Sequence, residues 1–389
     1  MPAAGGTTLF RSFFQGGFEC STHRRLDGRR LDVIAAIGHD RHALEDYRQL
    51  AGMGIETVRD GFRWHLIEPS PGHHDWSSLI PMLRAARQSG VQVIWDLLHY
   101  GWPDDIDIWR PAFVSRFADF AGAAAKIVKS ESDGVPFYAP INEISFLSWA
   151  GGDAGYLNPF ANGRGFELKV QLVRAALAAM DAILAVDPRA RFVHCDPAIN
   201  IVVHPTRPEE HGAARGHHEA QFQAWDMIAG RLWPQLGGAP RCLDIIGVNY
   251  YPNNQWILGG PTMQRGDPLY RPFRHLVADI HARYQRPLFI AETGTEGDDR
   301  SGWLSYMIEE AQAAMAMGVP LEGLCLYPVA DHPGWDDDRP CPNGLLGASV
   351  SAAGREVHAP LAETLKSRLV AAARGDVPAA AGTASASAR

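Results

Sequence analysis

The stretch Phe137-Tyr138-Ala139-Pro140-Ile141-Asn142-Glu143-Ile144 decides how the rest of the chain is interpreted. It is aromatic and then apolar, which predicts a short buried strand. The strand ends on an amide followed by a carboxylate, and a carboxylate at such a place must be solvated, paired or functional. The stretch Leu288-Phe289-Ile290-Ala291-Glu292-Thr293-Gly294 has the same order of residue types. We therefore predict two carboxylates, Glu143 and Glu292, at the ends of two buried strands.

Six further apolar stretches alternate with helical patterns along the chain. The other predicted strands cover residues 13–19, 55–59, 91–99, 191–195, 243–251 and 321–327, and predicted helices include residues 40–50, 77–88, 167–186, 219–232, 273–284, 301–317 and 360–373. Such alternation implies a parallel sheet. Eight units fit an α/β fold consisting of a single (β/α)8 TIM barrel. A doubly wound open sheet is the alternative, but no glycine-rich phosphate loop follows the first strand.

Composition sets the outer limits of the domain and excludes some partners. The barrel domain is predicted over residues 1–374, and the tail 375–389, rich in Ala, Gly and Ser, is predicted to be disordered. A net charge of −8 argues against nucleic-acid binding and against a membrane surface as partner. The start of the chain has no signal-peptide pattern, and no run reaches 18 apolar residues, so a cytoplasmic location is expected. The oligomeric state is left open.

The ends of the predicted strands carry an unusually polar set of residues. In a barrel these ends share one face and point into one pocket. The polar residues there are Glu19, Arg59, His99, Asn142, Glu143, Asp196, Asn249, Tyr250, Tyr251, Glu292 and Asp331, and the nearby aromatic residues are Trp64, Tyr100, Trp102, Tyr327 and Trp335. Aromatic faces stack on sugar rings while polar groups bind hydroxyls, so the set indicates a sugar pocket. Glycoside hydrolysis uses two carboxylates across such a pocket, with different pKa values.

Several of these motifs resemble glycoside hydrolase family 1, within the clan of (β/α)8 glycosidases that carry catalytic glutamates on strands four and seven. The matching segments are Asn142-Glu143, Glu292-Thr293-Gly294, Gly247-Val248-Asn249-Tyr250-Tyr251 and His99-Tyr100-Gly101-Trp102-Pro103. The resemblance implies a retaining β-glycosidase without a cofactor, with Glu143 as acid/base and Glu292 as nucleophile. It also implies substrate-binding or supporting roles for Arg59, His99, Asn142, Asn249, Tyr251, Tyr327 and Trp335. The implied partner is a small carbohydrate or glycoside.

The chain departs from the family pattern in its sugar-binding positions. The family's first-strand Gln falls at His23 or is supplied by Gln15, and its strand-eight Trp falls at Tyr327. The family's Asn-Phe-Glu-Trp falls at His332-Pro333-Gly334-Trp335, so Gly334 stands where a Glu usually holds the 4- and 6-hydroxyls. An altered sugar subsite is therefore expected.

Two other functions fit parts of the pattern. In a metal-dependent sugar isomerase or epimerase, Glu143, Asp196, Glu292 and Asp331 would supply oxygen ligands for Mg²⁺ or Mn²⁺. A non-catalytic sugar-binding barrel is the second alternative, although a protein that only binds has no need for both glutamates. The histidines His211, His217 and His218 are interpreted as exposed side chains of a polar loop, so no metal site is predicted from them.

Overall fold

A closed parallel barrel forms the centre of the chain in a computed structural model that describes residues 8–373. Each of its eight strands pairs with the strand before it, and the first pairs with the last. The strands are β1 (Phe14–Gly17), β2 (Thr57–Gly61), β3 (Gln92–Asp96), β4 (Phe137–Ala139), β5 (Arg191–Pro197), β6 (Ile245–Asn249), β7 (Leu288–Thr293) and β8 (Leu321–Leu326). The predicted (β/α)8 barrel is confirmed, whereas the predicted tail, residues 375–389, lies outside the described residues.

Helices surround the barrel and connect its strands. The main helices are α1 (His39–Gly52), α2 (Ile80–Ser89), α3 (Pro111–Glu131), α4 (Gly165–Val186), α5 (Gln223–Ile228), α6 (Phe273–Tyr284), α7 (Arg300–Ala316) and α8 (Ala359–Ala373). Short helices cover Val33–Ala36, Trp64–Ile67, Ile144–Leu147 and His211–Ala220. Within the described range, no helix has the length and hydropathy needed to cross a lipid bilayer.

The prediction of one helix over residues 219–232 was wrong in its extent. The chain forms two helices there, His211–Ala220 and Gln223–Ile228. The side chain of Gln221 lies at the break and bonds to both backbone groups of Ile199, which holds the chain against the neighbouring strand segment. Gly230 then adopts a left-handed φ of 73°, which ends the second helix. The segment predicted as a polar loop around His211 is therefore helical, with His211 and His217 exposed.

The barrel interior is packed with side chains and is not a pore. Inward-facing apolar residues form a cluster separate from the layer between strands and helices; it contains Phe10, Ile94, Phe137, Ala139, Val193, Cys195, Ile245, Phe289 and Ala291. A buried Phe or Ile of this kind contributes about 1.5–3 kcal/mol through the hydrophobic effect. Gly247 is required here, because a Cβ would lie 2.7 Å from Cys195 Sγ and 2.8 Å from the Ala291 Cβ. This packed layer forms a rigid floor beneath the strand ends.

A β-bulge in β7 changes the direction of the side chains at the end of that strand. On one side, Val248 pairs with Ile290 and the next residue, Asn249, pairs with Glu292. On the other side, the pairing of β8 with β7 also slips by one residue between Ile290 and Thr293. An extra residue in one strand breaks the strict alternation of faces. Consequently Ala291 faces the interior, and Glu292, the next residue, also reaches the pocket.

Outside the barrel, a buried ionic network ties a late hairpin to the first large helix. We call strands Leu346–Ser351 and Gly354–Val357 the closing hairpin. Its Arg355 donates to both carboxylate oxygens of Asp46 on α1, at 2.8 and 2.9 Å. His39 lies between Asp46 and Asp60 at 2.7 Å from each. Burial opposes a charge on His39, but the two carboxylates raise its pKa to about 9, so it is an imidazolium at neutral pH.

Candidate active site

Arg59 connects the ends of four barrel strands. Its side chain is fully buried, and its Nη1 donates to Glu292 Oε1 at 2.9 Å. Its Nη2 donates to Asp96 Oδ2 at 2.6 Å and to Asn142 Oδ1 at 3.0 Å. Burial alone would disfavour the charge, but Asp96 and Glu292 keep the pKa of Arg59 well above its usual value. A permanent positive charge is thus fixed beneath the pocket, next to Glu292.

Glu292 accepts a hydrogen bond on each of its oxygens. Arg59 donates to Oε1, and the hydroxyl of Tyr251 donates to Oε2 at 2.9 Å. The residue is only 4% exposed. Burial raises the pKa of Glu292, and the Arg59 guanidinium limits that rise. The arrangement holds one carboxylate in a fixed position with a cation beside it.

Glu143 lies in a different environment. Its Oε1 accepts from Asn249 Nδ2 at 2.8 Å, and its Oε2 accepts from the hydroxyl of Tyr100. No lysine or arginine within the described range forms an ion pair with it. Burial and the nearby Glu292 carboxylate raise the pKa of Glu143 to about 8, although both hydrogen bonds act in the opposite direction. Two carboxylates with unlike surroundings can divide the acid and the nucleophile roles between them.

The backbone is strained at both partners of the Tyr100–Glu143 hydrogen bond. Tyr100 has φ of 65° and Glu143 has φ of 46°, values in the left-handed region that favours glycine. Such a conformation costs about 1–3 kcal/mol and persists only where surrounding structure enforces it. Backbone hydrogen bonds from Asn142 to Leu98 and from Glu143 to Cys195, both 3.0 Å, hold the turn after β4 in place. The strain therefore serves to bring these two side chains together.

Asn142 fixes the direction of the hydrogen bonds around it. Because its Oδ1 accepts from Arg59, its Nδ2 faces His99 Nε2 and the Tyr100 hydroxyl, each 3.1 Å away. An amide nitrogen only donates, so His99 Nε2 accepts, and its Nδ1 donates to Asp96 at 2.9 Å. The Tyr100 hydroxyl likewise accepts from Asn142 and uses its own proton toward Glu143. Burial opposes charge on His99, but Asp96 and Glu19 raise its pKa.

Tyr327 and Trp335 border the same pocket. The ring of Tyr327 lies parallel to that of His99, 6.0 Å between centroids, and its hydroxyl is 3.5 Å from His99 Nε2. Gly17 leaves the space for it, since a Cβ there would come within 2.2 Å of the Tyr327 ring. Trp335 is half-buried and contacts His23 and Tyr100 edge to face, at 5.2 and 5.5 Å. The structure thus brings all nine residues predicted from the sequence into one connected group of contacts.

Of the two replacements considered for the family's first-strand Gln, His23 lies at the pocket. It is 1% exposed and packs against Trp335. Gln15 instead lies against Gly323 inside the barrel, where a Cβ on the glycine would meet its Nε2 at 2.2 Å. Of these two residues, His23 is therefore the one that lies beside Trp335 and Tyr100.

Two other strand-end carboxylates have separate roles. Asp196 accepts from the backbone nitrogen and the hydroxyl of Ser145, at 2.9 and 3.0 Å. Asp331 accepts from the backbone nitrogen of Gly344 at 2.7 Å and lies 3.6 Å from Arg300. Both carboxylates thus hold loops in place. The four-carboxylate ligand set expected for a metal-dependent isomerase or epimerase would require them to turn away from these partners.

A different group of side chains has the spacing of a metal site. Ligand atoms of Cys20, Asp96 and His99 lie within 4.8 Å of one another, and all three residues are buried. However, Asp96 Oδ2 accepts from Arg59 at 2.6 Å, so a permanent cation already neutralises it. Burial and the neighbouring carboxylates raise the pKa of Cys20, which keeps it a thiol rather than the thiolate that binds metals. These residues do not fit a metal ion.

The sequence does not distinguish three residues of the site. Tyr100 and Glu19 belong to larger sets of polar and aromatic residues, and Asp96 lies within a predicted strand. Glu19 follows Gln15 and Gly17 at spacings of two, which is the signal that would have placed it on the inward face of β1. It is 5% exposed, and its Oε1 lies 3.9 Å from His99 Nε2.

Solved structures with the same barrel include several β-glucosidases. The AHE enzyme of Alicyclobacillus herbarius is 16% identical, with a TM-score of 0.75 over 93% of this chain and 99% of the other. The β-glucosidase of Thermotoga maritima in complex with glucoimidazole is 15% identical, with the same TM-score and coverage. The family 1 β-glucosidase of T. maritima is 15% identical, with a TM-score of 0.75, covering 92% and 97%.

Sequence comparison gives no such match. No family model matches the chain, and no curated protein matches it in sequence. At about 15% identity, the structural likeness establishes that the chain has a TIM-barrel fold similar to that of family 1 β-glucosidases.

Proposed function

We propose that this protein is a retaining β-glycosidase that hydrolyses a small β-linked glycoside. The observation that carries the proposal is the unlike pair of buried carboxylates. Glu292 is held by a guanidinium and a tyrosine hydroxyl, whereas Glu143 is held only by neutral donors and has its pKa raised to about 8. A pair that differs in this way can supply one proton donor and one ionised nucleophile at the same pH.

The first step joins the sugar to the enzyme. A Glu292 oxygen attacks the anomeric carbon while the bond from that carbon to the leaving oxygen breaks. Glu143 gives its proton to the leaving oxygen and becomes a carboxylate. Arg59 and Tyr251 keep Glu292 oriented for this attack. The Tyr100 and Asn249 hydrogen bonds then stabilise the new charge on Glu143.

The second step returns the enzyme to its starting state. Glu143, now ionised, takes a proton from a water molecule while the oxygen of that water attacks the anomeric carbon. The ester bond to Glu292 breaks, which releases the sugar and restores both carboxyl groups. The retaining course is proposed from the resemblance of the Asn142-Glu143 and Glu292-Thr293-Gly294 motifs to their family counterparts.

Three further observations support a small glycoside as substrate. The pocket combines aromatic rings with hydroxyl-binding groups, which suits a sugar ring. The structurally similar proteins include β-glucosidases. The resemblance of Asn142-Glu143 to the family motif also assigns Asn142 to the hydroxyl beside the anomeric carbon, and its amide lies next to Arg59, which contacts Glu292.

Covalent labelling tests the nucleophile directly. Incubation with an activated 2-deoxy-2-fluoro β-glycoside should trap a glycosyl ester, and mass spectrometry of the digested protein should find it on Glu292. Glu292→Gln provides the control, because an amide cannot form the ester and should remain unlabelled. A label on a different residue, or no label while the protein hydrolyses the parent glycoside, would reject the assignment.

A further inference from the structure

A third buried carboxylate, Glu19, lies in the pocket and has no part in the proposed reaction. Its Oε1 accepts from the backbone nitrogen of Ser21 at 2.9 Å and from the Ser21 hydroxyl. Within residues 8–373, its Oε2 takes part in no hydrogen bond. The imidazole of His99 lies 3.9 Å from Glu19 Oε1. The unbonded oxygen of this nearly buried carboxylate can accept hydrogen bonds from another molecule.

Arg59 cannot act as the partner of Glu19. Its two terminal nitrogens already bond to Glu292, Asp96 and Asn142. The site contains four buried carboxylates, Glu19, Asp96, Glu143 and Glu292, of which Arg59 pairs with Asp96 and Glu292. Such a pocket repels an anionic group on the substrate.

Glu19 lies at the far end of a continuous row of side chains that starts at the proposed nucleophile. Glu292 contacts Arg59 at 2.9 Å, Arg59 contacts Asn142 at 3.0 Å, and Asn142 contacts His99 at 3.1 Å. His99 is then 3.9 Å from Glu19. A pyranose whose anomeric carbon lay at Glu292 and whose ring followed this row would bring its remote hydroxyls toward His99 and Glu19.

The acidic loop after β8 does not offer another carboxylate for this purpose. Asp338 pairs with Arg25 and Arg29, and Asp336 accepts from the hydroxyl of Tyr156 at 2.9 Å. Asp337 accepts from the backbone nitrogen of Arg339 at 3.2 Å. These three loop carboxylates are exposed to solvent, and Gly334 supplies no side chain. Glu19, in contrast, is 5% exposed, so it is the carboxylate among these four that an enclosed sugar would meet.

We propose that Glu19 determines glycone specificity by accepting hydrogen bonds from the sugar hydroxyls remote from the anomeric carbon, and that the glycone is neutral. The inference rests on the proposed function, because it uses the anomeric carbon at Glu292 as its reference point. A carboxylate can accept from two adjacent hydroxyls, and charge-assisted hydrogen bonds are about twice as strong as neutral ones. A uronic acid or a phosphorylated sugar would place a negative charge against Glu19.

The test compares Glu19→Gln with the wild type on an aryl β-glucoside and on its 3-deoxy and 4-deoxy analogues. For the wild type, removal of the hydroxyl bound by Glu19 should lower kcat/KM about 10- to 100-fold. In Glu19→Gln the same removal should cost less than about threefold, because the charged acceptor is already gone. An aryl 6-phospho-β-glucoside should be at least about 100-fold poorer than the neutral glucoside for the wild type.

The control is Glu322→Gln, which makes the same change on β8, at its opposite end from the pocket. Glu322→Gln should lose as much kcat/KM with each deoxy analogue as the wild type does. Glutamine keeps the shape of Glu19 and can still accept from Ser21, and thermal unfolding would verify that the variant is folded. An equal loss of kcat/KM with the deoxy analogues in the wild type and in Glu19→Gln would overturn the inference, as would efficient hydrolysis of the phosphorylated glucoside.

Calorimetric titration with the same glycosides separates this inference from the proposed function. A wild-type protein that binds the glucoside in a hydroxyl- and Glu19-dependent way, without hydrolysing it, would refute the glycosidase proposal and support the role of Glu19. Hydrolysis whose rate and substrate affinity do not depend on Glu19 would support the glycosidase proposal and refute the role of Glu19. A protein that binds none of these glycosides would refute both.

Discussion

The hydroxyl of Tyr100 offers a direct test of how the acid/base is tuned. It donates to Glu143 Oε2 while accepting from Asn142, so the network fixes its direction. A donor favours the ionised carboxylate and therefore lowers the pKa of Glu143. In Tyr100→Phe this donor is absent, whereas the ring that packs against Trp335 is kept. The pKa of Glu143 should therefore rise further above about 8.

The size of the change follows from the strength of the bond. A hydrogen bond to a charged group contributes about 1.5–3 kcal/mol. One pKa unit corresponds to about 1.4 kcal/mol, so the loss should raise the pKa by about one to two units. Asn249 still donates to Oε1 and stabilises the remaining charge.

The assay is the pH dependence of kcat/KM on an aryl β-glycoside. Loss of the acid's proton sets the alkaline limb, which should lie near pH 8 in the wild type and about one to two units higher in Tyr100→Phe. Tyr138→Phe is the matched control, because the Tyr138 hydroxyl is buried on β4 and has no hydrogen-bond partner in the described residues. Its profile should coincide with that of the wild type.

Two results would refute the reasoning. An alkaline limb that stays in place in Tyr100→Phe would show that the bond does not influence the acid. A limb that moves to lower pH would show that the tyrosine stabilises the protonated form instead. A similar shift in Tyr138→Phe would assign the effect to packing rather than to the hydrogen bond.

Three other changes have definite expected outcomes. The pKa of His39 is raised to about 9 in the folded protein, so its contribution to stability is complete below pH 6.5 and is lost as the pH rises through 9. In urea unfolding, the free energy of unfolding of the wild type should exceed that of His39→Gln by a margin that falls by roughly 3 kcal/mol between pH 6 and pH 9.5. A margin that stays constant over this range would contradict the prediction. Gly247→Ala should lower the free energy of unfolding by about 1–3 kcal/mol, because the new Cβ would meet Cys195 Sγ at 2.7 Å. The control Gly216→Ala, at an open position in a helix, should raise the free energy of unfolding by up to about 1 kcal/mol. Dialysis against EDTA should leave hydrolysis unchanged, and activity that depends on added Mg²⁺ or Mn²⁺ would favour the isomerase alternative.

The barrel and the central carboxylates could be predicted from the sequence because each depends on local patterns. Buried strands are apolar over four to eight residues, and a polar pair such as Asn142-Glu143 stands out at the end of one. Once the strands are known to be parallel, their ends must share a face. The grouping of Arg59 and His99 with the two glutamates follows from that rule alone.

Other features depend on geometry that residue types do not specify. Tyr100 reaches Glu143 only because both residues adopt left-handed φ values, which a non-glycine residue rarely does. Glu19 and Asp331 are both carboxylates near strand ends that accept from a backbone nitrogen, yet Glu19 lies 3.9 Å from His99 whereas Asp331 lies beside Arg300. The bulge in β7 is an extra residue in the pairing and has no signal in the sequence, which predicts Glu292 at the strand end but not the change of direction that brings it into the site. Long-range contacts decide each of these cases.

The closing hairpin has a consequence for how the protein is made. Arg355 and its partner Asp46 are 309 positions apart, and ribosomes add about 5–20 residues per second. The first large helix therefore waits about 15–60 s after its synthesis before the guanidinium that pairs with its buried Asp46 exists. During that interval Asp46 has His39 as a partner but not Arg355. A chain that ends before position 355 lacks this ion pair permanently.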